Sequence, residues 1–297
     1  MTEATTPTRA DGRLTVALIS EVFWQPDGIA RLNERLSQAA ERGADLAVLP
    51  ELALNPWRPS TQVPVDEDAE PMGGPRSLQL AAAARAARIG LIGGIIHRDP
   101  ATQRRTSRSL VFDASGTLVA TYEKLHLPQE PGFWEADHYE PGTEAPRRID
   151  AFGMPIGVQV CSDTNRPEGS HLLGAQGVQA ILIPRATEEA TYLHWRLVFR
   201  ANARTTTCYV LSVNRPDPED GVLIGGPSIA VDPFGTVLLE TTDGIGLVTL
   251  DSAVVAKAKV AYPGYLDVRA RLYADAWNEI AGRDGQPGGA FPTRSPG

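Results

Sequence analysis

Three observations predict an α/β protein built as one domain, with a mixed sheet system and helices on the outside. Apolar runs of strand length alternate with helical patterns along the chain. Two hairpin-like pairs interrupt that alternation, and no shift in composition divides the 297 residues. Residues 14–23 (LTVALISEVF) and 44–54 (ADLAVLPELAL) read as strands. Between them, Ile29, Leu32 and Leu36 recur at helical spacing in GIARLNERLSQAAERGA. PRSLQLAAAARAARIG reads as the next helix and GLIGGIIHRD as the next strand, and SLVFDASGTLVATYEK is a hairpin turning at Asp113–Gly116.

After the apolar run GVQVC comes RPEGSHLLGAQG, a short helix with Pro near its start and Gly at its end, and then the strand VQAILIPRA. TEEATYLHWRLVFRANARTTT is a longer helix with Leu193, Leu197 and Ala201 on one face. YVLSVNR, GPSIAVDPFGTVLLETT and IGLVTLD complete the strands, and a last helix spans Leu266 to Ala281. The expected domain therefore covers residues 13–281. It is preceded by a flexible polar segment, 1–12, and followed by a Gly/Pro-rich tail, 282–297, that is either loose or laid on a partner subunit.

The formal charge is −8 and no Lys/Arg run occurs, so the electrostatic footprint of a nucleic-acid binder is missing. The N-terminal residues carry no apolar core of a signal peptide, and no stretch approaches the roughly 20 apolar residues of a membrane span. These features lead us to expect a soluble cytoplasmic protein. Cys161 and Cys208, the only cysteines, are expected to be free thiols, because one bridge makes no framework in a chain this long.

Reactive groups in α/β proteins sit where strands open into turns. Cys161 ends such a run. Alternation sends Val158 and Val160 one way and Gln159 and Cys161 the other, and the dipole of the next helix would favour its thiolate. Read alone, Cys161 is equally one more small buried hydrophobe. Glu51 follows Pro50 inside an apolar run. It is either a buried carboxylate suited to exchanging protons or an acid emerging into solvent at the strand end. Lys124 ends a third apolar strand. A parallel arrangement would bring base, cation and thiol to one mouth of the sheet.

These stretches resemble the motifs of the carbon–nitrogen hydrolase, or nitrilase, superfamily over roughly residues 13–281. LAVLPELAL is similar to its glutamate motif, YEKLHLPQEPGFWEADHYEPGTE to its lysine motif and GVQVCSDTNRPEG to its cysteine motif. RANARTTTCYVLSVNR and GGPSIAVDPFGTVL resemble its later blocks. The resemblance implies a four-layer α-β-β-α sandwich, assembled as a homodimer or larger homo-oligomer. It further implies Cys161 as nucleophile, Glu51 as general base and acid, Lys124 as oxyanion-stabilising cation and Glu135 as a second acid that orients the lysine. The backbone N–H of Ser162 would complete the oxyanion hole. The reaction implied is hydrolysis of a small linear amide or N-carbamoyl amine through a thioester, with ammonia released and no metal or organic cofactor. Nitrile hydrolysis, acyl transfer and a silent oligomeric scaffold are the alternatives.

Within the superfamily, the segment KLHLPQEPGFWEADHYEPG looks most like the N-carbamoylputrescine amidase and N-carbamoyl-amino-acid amidohydrolase type. Ser162 stands where an aromatic is common, Thr164 and Asn165 where carbamoyl-D-amino-acid members place arginines, and Thr205 and Thr206 where a Glu-Asn pair is usual. Arg185 is the candidate specificity residue, forking onto a substrate carboxylate or pairing with Glu188 or Glu189. Trp57, Phe133 and Trp134 form either an apolar pocket wall or core.

Overall fold

The computed structural model describes residues 12–282, so the expected flexible start and Gly/Pro-rich tail lie, but for one residue each, outside the described residues. The chain divides after Gly264 into two units. In the first, β1 (Arg13–Ile19), α1 (Gly28–Glu41), β2 (Leu46–Val48), β3 (Ala69–Glu70), α2 (Pro75–Ala87), β4 (Gly90–Arg98), β5 (Arg105–Phe112) and β6 (Leu118–Glu123) come first, followed by α3 (Glu135–His138). Next are β7 (Ile156–Val158), α4 (Pro167–Ala175), β8 (Ala180–Arg185), α5 (Tyr192–Thr206), β9 (Tyr209–Asn214), β10 (Ser228–Val231), β11 (Val237–Thr241), β12 (Ile245–Asp251) and α6 (Ser252–Val260). The second unit contains α7 (Ala270–Ala281), which the sequence pattern placed within a domain running to 281 and which buries none of its residues.

One sheet has the order β12-β1-β2-β4-β5-β6 with β3 beside β4, and the other runs β11-β10-β9-β8-β7. The β1, β2 and β4 strands are mutually parallel, as are β7, β8 and β9, with antiparallel strands added at the edges. Strand alternation assigns the layers. Val16 and Leu18 of β1 join Leu182 and Leu211 in the core between the sheets, while Ala17 and Ile19 meet Leu32 and Leu36 of α1. Ile181 and Ile183 of β8 face Leu173 of α4 and Phe199 of α5 on the other side. Burial on both faces is why these strands read as continuous apolar runs. The result is the four-layer α-β-β-α sandwich.

The face of α5 that carries Leu193, Leu197 and Ala201 is not the one packed on the sheet. Leu193 and Leu197 are 75% and 69% exposed and Ala201 is exposed as well, whereas Tyr192, Phe199 and Ala203 are buried. Two apolar stripes compete on this helix. The one carrying aromatic rings removes more surface from water and packs on the sheet.

Candidate active site

The apolar run at 44–54 is strand only to Val48. Pro50 supplies no N–H for a ladder, and residues 51–55 form a buried turn in which Leu52 has a φ of 50°. A non-glycine residue held there costs on the order of 1–2 kcal/mol, so its surroundings must impose it. That turn aims Glu51 inward. Lys124 directly follows β6, its N–H donating to the Ser107 carbonyl at 2.9 Å. Glu135 begins α3. The run ending in GVQVC leaves the ladder after Val158, and residues 161–165 form a turn of 3-10 helix. Cys161 takes a φ of 45°, which breaks the expected alternation and turns it into the inter-sheet core beside Val158 and Val160.

These residues meet. Lys124 Nζ donates to Glu51 Oε1 at 2.7 Å and to the two Glu135 oxygens at 2.7 and 2.6 Å. All three side chains are buried, and Glu51 Oε2 is buried with no hydrogen-bond partner. Cys161 is 3% exposed, and its Sγ lies 3.6 Å from the Ala186 carbonyl oxygen. The arrangement offers an unused carboxylate oxygen, a fixed ammonium and a thiol, each buried from bulk water.

Electrostatics follow from burial. Burial pushes the Cys161 thiol well above its ordinary range and the charge of Glu51 adds to this, with Lys124 only partly opposing them. This reverses the expectation of a thiolate stabilised by a helix dipole: α4 starts at Pro167, and desolvation dominates. Burial also opposes the Lys124 charge, yet Glu135 and then Glu51 hold its proton firmly. Glu135, buried beside a second carboxylate, is pushed up to about 8 despite Lys124.

A Glu135 pKa raised above the ordinary carboxylate value of 4.5 contributes stability that is complete below that value and lost as pH rises through about 8. Glutamine at 135 is neutral at every pH. Chemical denaturation across this interval is expected to show Glu135→Gln gaining on the wild type as pH rises; a gap independent of pH counts against the assignment.

Asp163 ties the cysteine turn to the lysine loop. Its Oδ1 accepts from the backbone N–H of Leu125 at 3.1 Å and of His126 at 2.9 Å, and lies 2.8 Å from His126 Nδ1. Its Oδ2 accepts from the Tyr122 hydroxyl at 2.9 Å and from Val160 N–H at 3.2 Å. The sequence pattern did not expose this role, because Asp163 stands among the polar residues Ser162, Thr164 and Asn165 of a turn, where an acid is unremarkable. Ser162 is half-buried and donates its hydroxyl to the His126 carbonyl. Thr164 is buried and its carbonyl accepts from Asn202 Nδ2 at 2.9 Å, while Asn165 is exposed. Thr205 and Thr206 return their hydroxyls to the Ala201 and Asn202 carbonyls, 2.8 and 2.7 Å away, in the last turn of α5.

Arg185 is held by protein groups rather than left open. It is fully buried, its Nε donates to Ser212 Oγ at 3.0 Å, and Nη1 and Nη2 donate to Thr187 Oγ1 and the Pro227 carbonyl. The guanidinium lies over the rings of Tyr192 and Phe199 in the layer covered by α5, and burial lowers its pKa to about 10. The fork is engaged by Ser212, Thr187 and the Pro227 carbonyl, and by neither Glu188 nor Glu189. Strand parity is the reason: Arg185 follows Ile183 on the outward face of β8.

Trp57 is fully buried, donates Nε1–H to the Gly132 carbonyl at 2.9 Å and meets Phe133 edge-on at 5.6 Å. It clusters with Ala186, Val222 and Ile224, and Ala186 is the residue whose carbonyl faces the Cys161 thiol. Trp134 is half-buried, its N–H donating to the Pro59 carbonyl at 2.9 Å. Val222 and Ile224 were invisible as site neighbours in the sequence because their segment, 215–227, carries no periodic pattern.

A four-layer sandwich holding a buried glutamate, lysine and cysteine at the junction of its sheets defines a class of hydrolase fold. The chain belongs to the carbon–nitrogen hydrolase family, whose model matches residues 16–260. It is 29% identical over 279 residues to the ω-amidase NIT3 of Saccharomyces cerevisiae, covering 89% of this chain and 96% of that protein. In fold it is similar to a carbon–nitrogen hydrolase from Helicobacter pylori G27, with a TM-score of 0.80 at 21% identity over 89% of this chain and 98% of that one. It is also similar in fold to an amidase from Nesterenkonia sp. AN1, with a TM-score of 0.71 at 23% identity over 90% and 97% of the two chains. That amidase has been captured with the acetamide moiety of fluoroacetamide on its active-site cysteine, and in complexes with acrylamide and butyramide.

Proposed function

We propose that this protein hydrolyses a small linear amide, or the related N-carbamoyl amine, through a thioester on Cys161, releasing ammonia. The observation that carries this reading is Lys124 Nζ bridging Glu51 and Glu135 beside the buried thiol. Because burial keeps the thiol protonated at neutrality, attack requires a base, and Glu51 Oε2 is the unpartnered acceptor at hand. Glu51 takes the thiol proton as sulfur adds to the carbonyl carbon. Lys124 and the Ser162 N–H hold the oxyanion.

Collapse of the tetrahedral adduct breaks the C–N bond, and Glu51 returns its proton to the departing nitrogen. A water deprotonated by Glu51 then cleaves the thioester, giving the acid and the free thiol. Glu135 keeps Lys124 charged and aimed. The amidase names of the relatives favour amides over nitriles, and the N-carbamoyl amine is retained from the likeness of the 124–142 segment. Assembly through the exposed Leu193 and Leu197 face of α5, as a homodimer or larger in the cytoplasm, belongs to the same reading.

Glu51→Gln protein mixed with butyramide, an N-carbamoyl amine or a nitrile, followed by intact-protein mass measurement, tests the chemistry. The expected result is an adduct of acyl mass on Cys161 that persists, with ammonia release slowed on the order of 10²–10⁴-fold. Undiminished turnover in that variant rejects Glu51 as the base.

A further inference from the structure

We infer that Arg215 is a positioning residue for Glu51, acting with Glu219 as a clamp that holds the turn of the base and ties it to the segment over the site. This rests on the reading of Glu51 as the general base. Arg215 directly follows β9, in the sheet opposite the one that carries Glu51, and is fully buried. Its Nη1 donates to the Glu51 and Leu52 carbonyls at 2.9 and 3.0 Å, and its Nη2 to the Asn55 carbonyl at 3.0 Å. Nε and Nη2 reach the two Glu219 oxygens, each at 2.7 Å. The five N–H groups of a guanidinium thus find five acceptors, three of them main-chain carbonyls of the turn that aims the base.

The backbone repeats the connection, since the N–H groups of Glu51 and Arg215 both donate to the Arg185 carbonyl, at 3.4 and 3.3 Å. Glu219 completes the clamp. Its second oxygen also accepts the Trp57 N–H at 3.2 Å, and the Arg215 guanidinium lies 5.6 Å from the Trp57 ring centroid. Glu219 further pairs with Val222 through its backbone, and Val222 packs with Trp57 in the cluster that includes Ala186. One buried arginine therefore fixes the left-handed Leu52 turn beneath the base and the apolar segment beside the thiol.

Lysine at 215 keeps the charge but offers only three donors on one atom, too few to span both carbonyl sets. The test compares Arg215→Lys and Glu219→Gln with the wild type in ammonia release and in the pH profile of Cys161 alkylation by iodoacetamide, read on the Cys161 peptide. Folding is checked by circular dichroism. Arg215→Lys is expected to lower kcat about 100-fold, as for a misplaced catalytic group, with KM little changed and the alkylation profile moved to higher pH. Glu219→Gln is expected to move both in the same direction, to a lesser degree. If Arg215→Lys does not fold, Glu219→Gln decides. A folded variant with kcat and alkylation profile within about twofold of wild type overturns the clamp. The alkylation profile reads the base without any turnover, so a wrong choice of amide substrate and a wrong role for Arg215 give different results.

Discussion

Cys161→Ala is expected to release no ammonia above background from any amide that the wild type hydrolyses, a loss on the order of 10⁴-fold or more. The size of the effect comes from the covalent route. Without sulfur there is no thioester, and the site retains only an ammonium and two carboxylates to assist direct attack by water. Cys161 touches the inter-sheet core, so its truncation also removes a small buried group; thermal denaturation separates this from the chemistry, because only a modest drop in stability accompanies loss of one buried sulfur. A coupled ammonia assay run beside the wild type checks the result. Turnover surviving the substitution would end the thiol mechanism and leave the fold with another use.

Lys124→Met carries the second large effect, and it falls on stability as well as activity. The ammonium is fully buried and is the direct partner of Glu51 Oε1 and both oxygens of Glu135. Removing one member of a buried ion pair leaves charge without compensation and costs on the order of 3–5 kcal/mol. Activity is expected to vanish with it, since the oxyanion loses its cation. The double variant Lys124→Met/Glu135→Gln is expected to recover much of the lost stability and none of the activity, as measured by urea denaturation and ammonia release. Equal stability of the single and double variants would show that the two carboxylates do not depend on this one cation.

The elements of the sandwich were legible because double-sided burial writes strands as long apolar runs, and the motif order pointed to Glu51, Lys124, Glu135 and Cys161 before any geometry was known. The geometry then joins the side chains of Glu51, Lys124 and Glu135 by direct hydrogen bonds. What the sequence concealed was side-chain direction near turns. Arg185 continues β8 with outward parity, a fact set by the register with β9 rather than by its own neighbours. Cys161 leaves its strand's alternation through a left-handed turn that a pattern of period two cannot signal. Arg215 and Asp163 were hidden for a related reason: the turn carbonyls that Arg215 holds and the lysine-loop groups that Asp163 holds lie 160 to 164 and 37 to 41 positions away in the chain, so local spacing carries no trace of those contacts.

Glu51 and Lys124 ride on one sheet while Cys161 rides on the other, with Asp163 reaching across to the lysine loop. Any slip of the two sheets past each other therefore changes the separation of base and thiol before it exposes much core to solvent. Mild heating or low urea should blunt the reactivity of this sulfur while the spectroscopic signature of the fold still looks intact, which makes a single cysteine a vernier for the docking of two sheets.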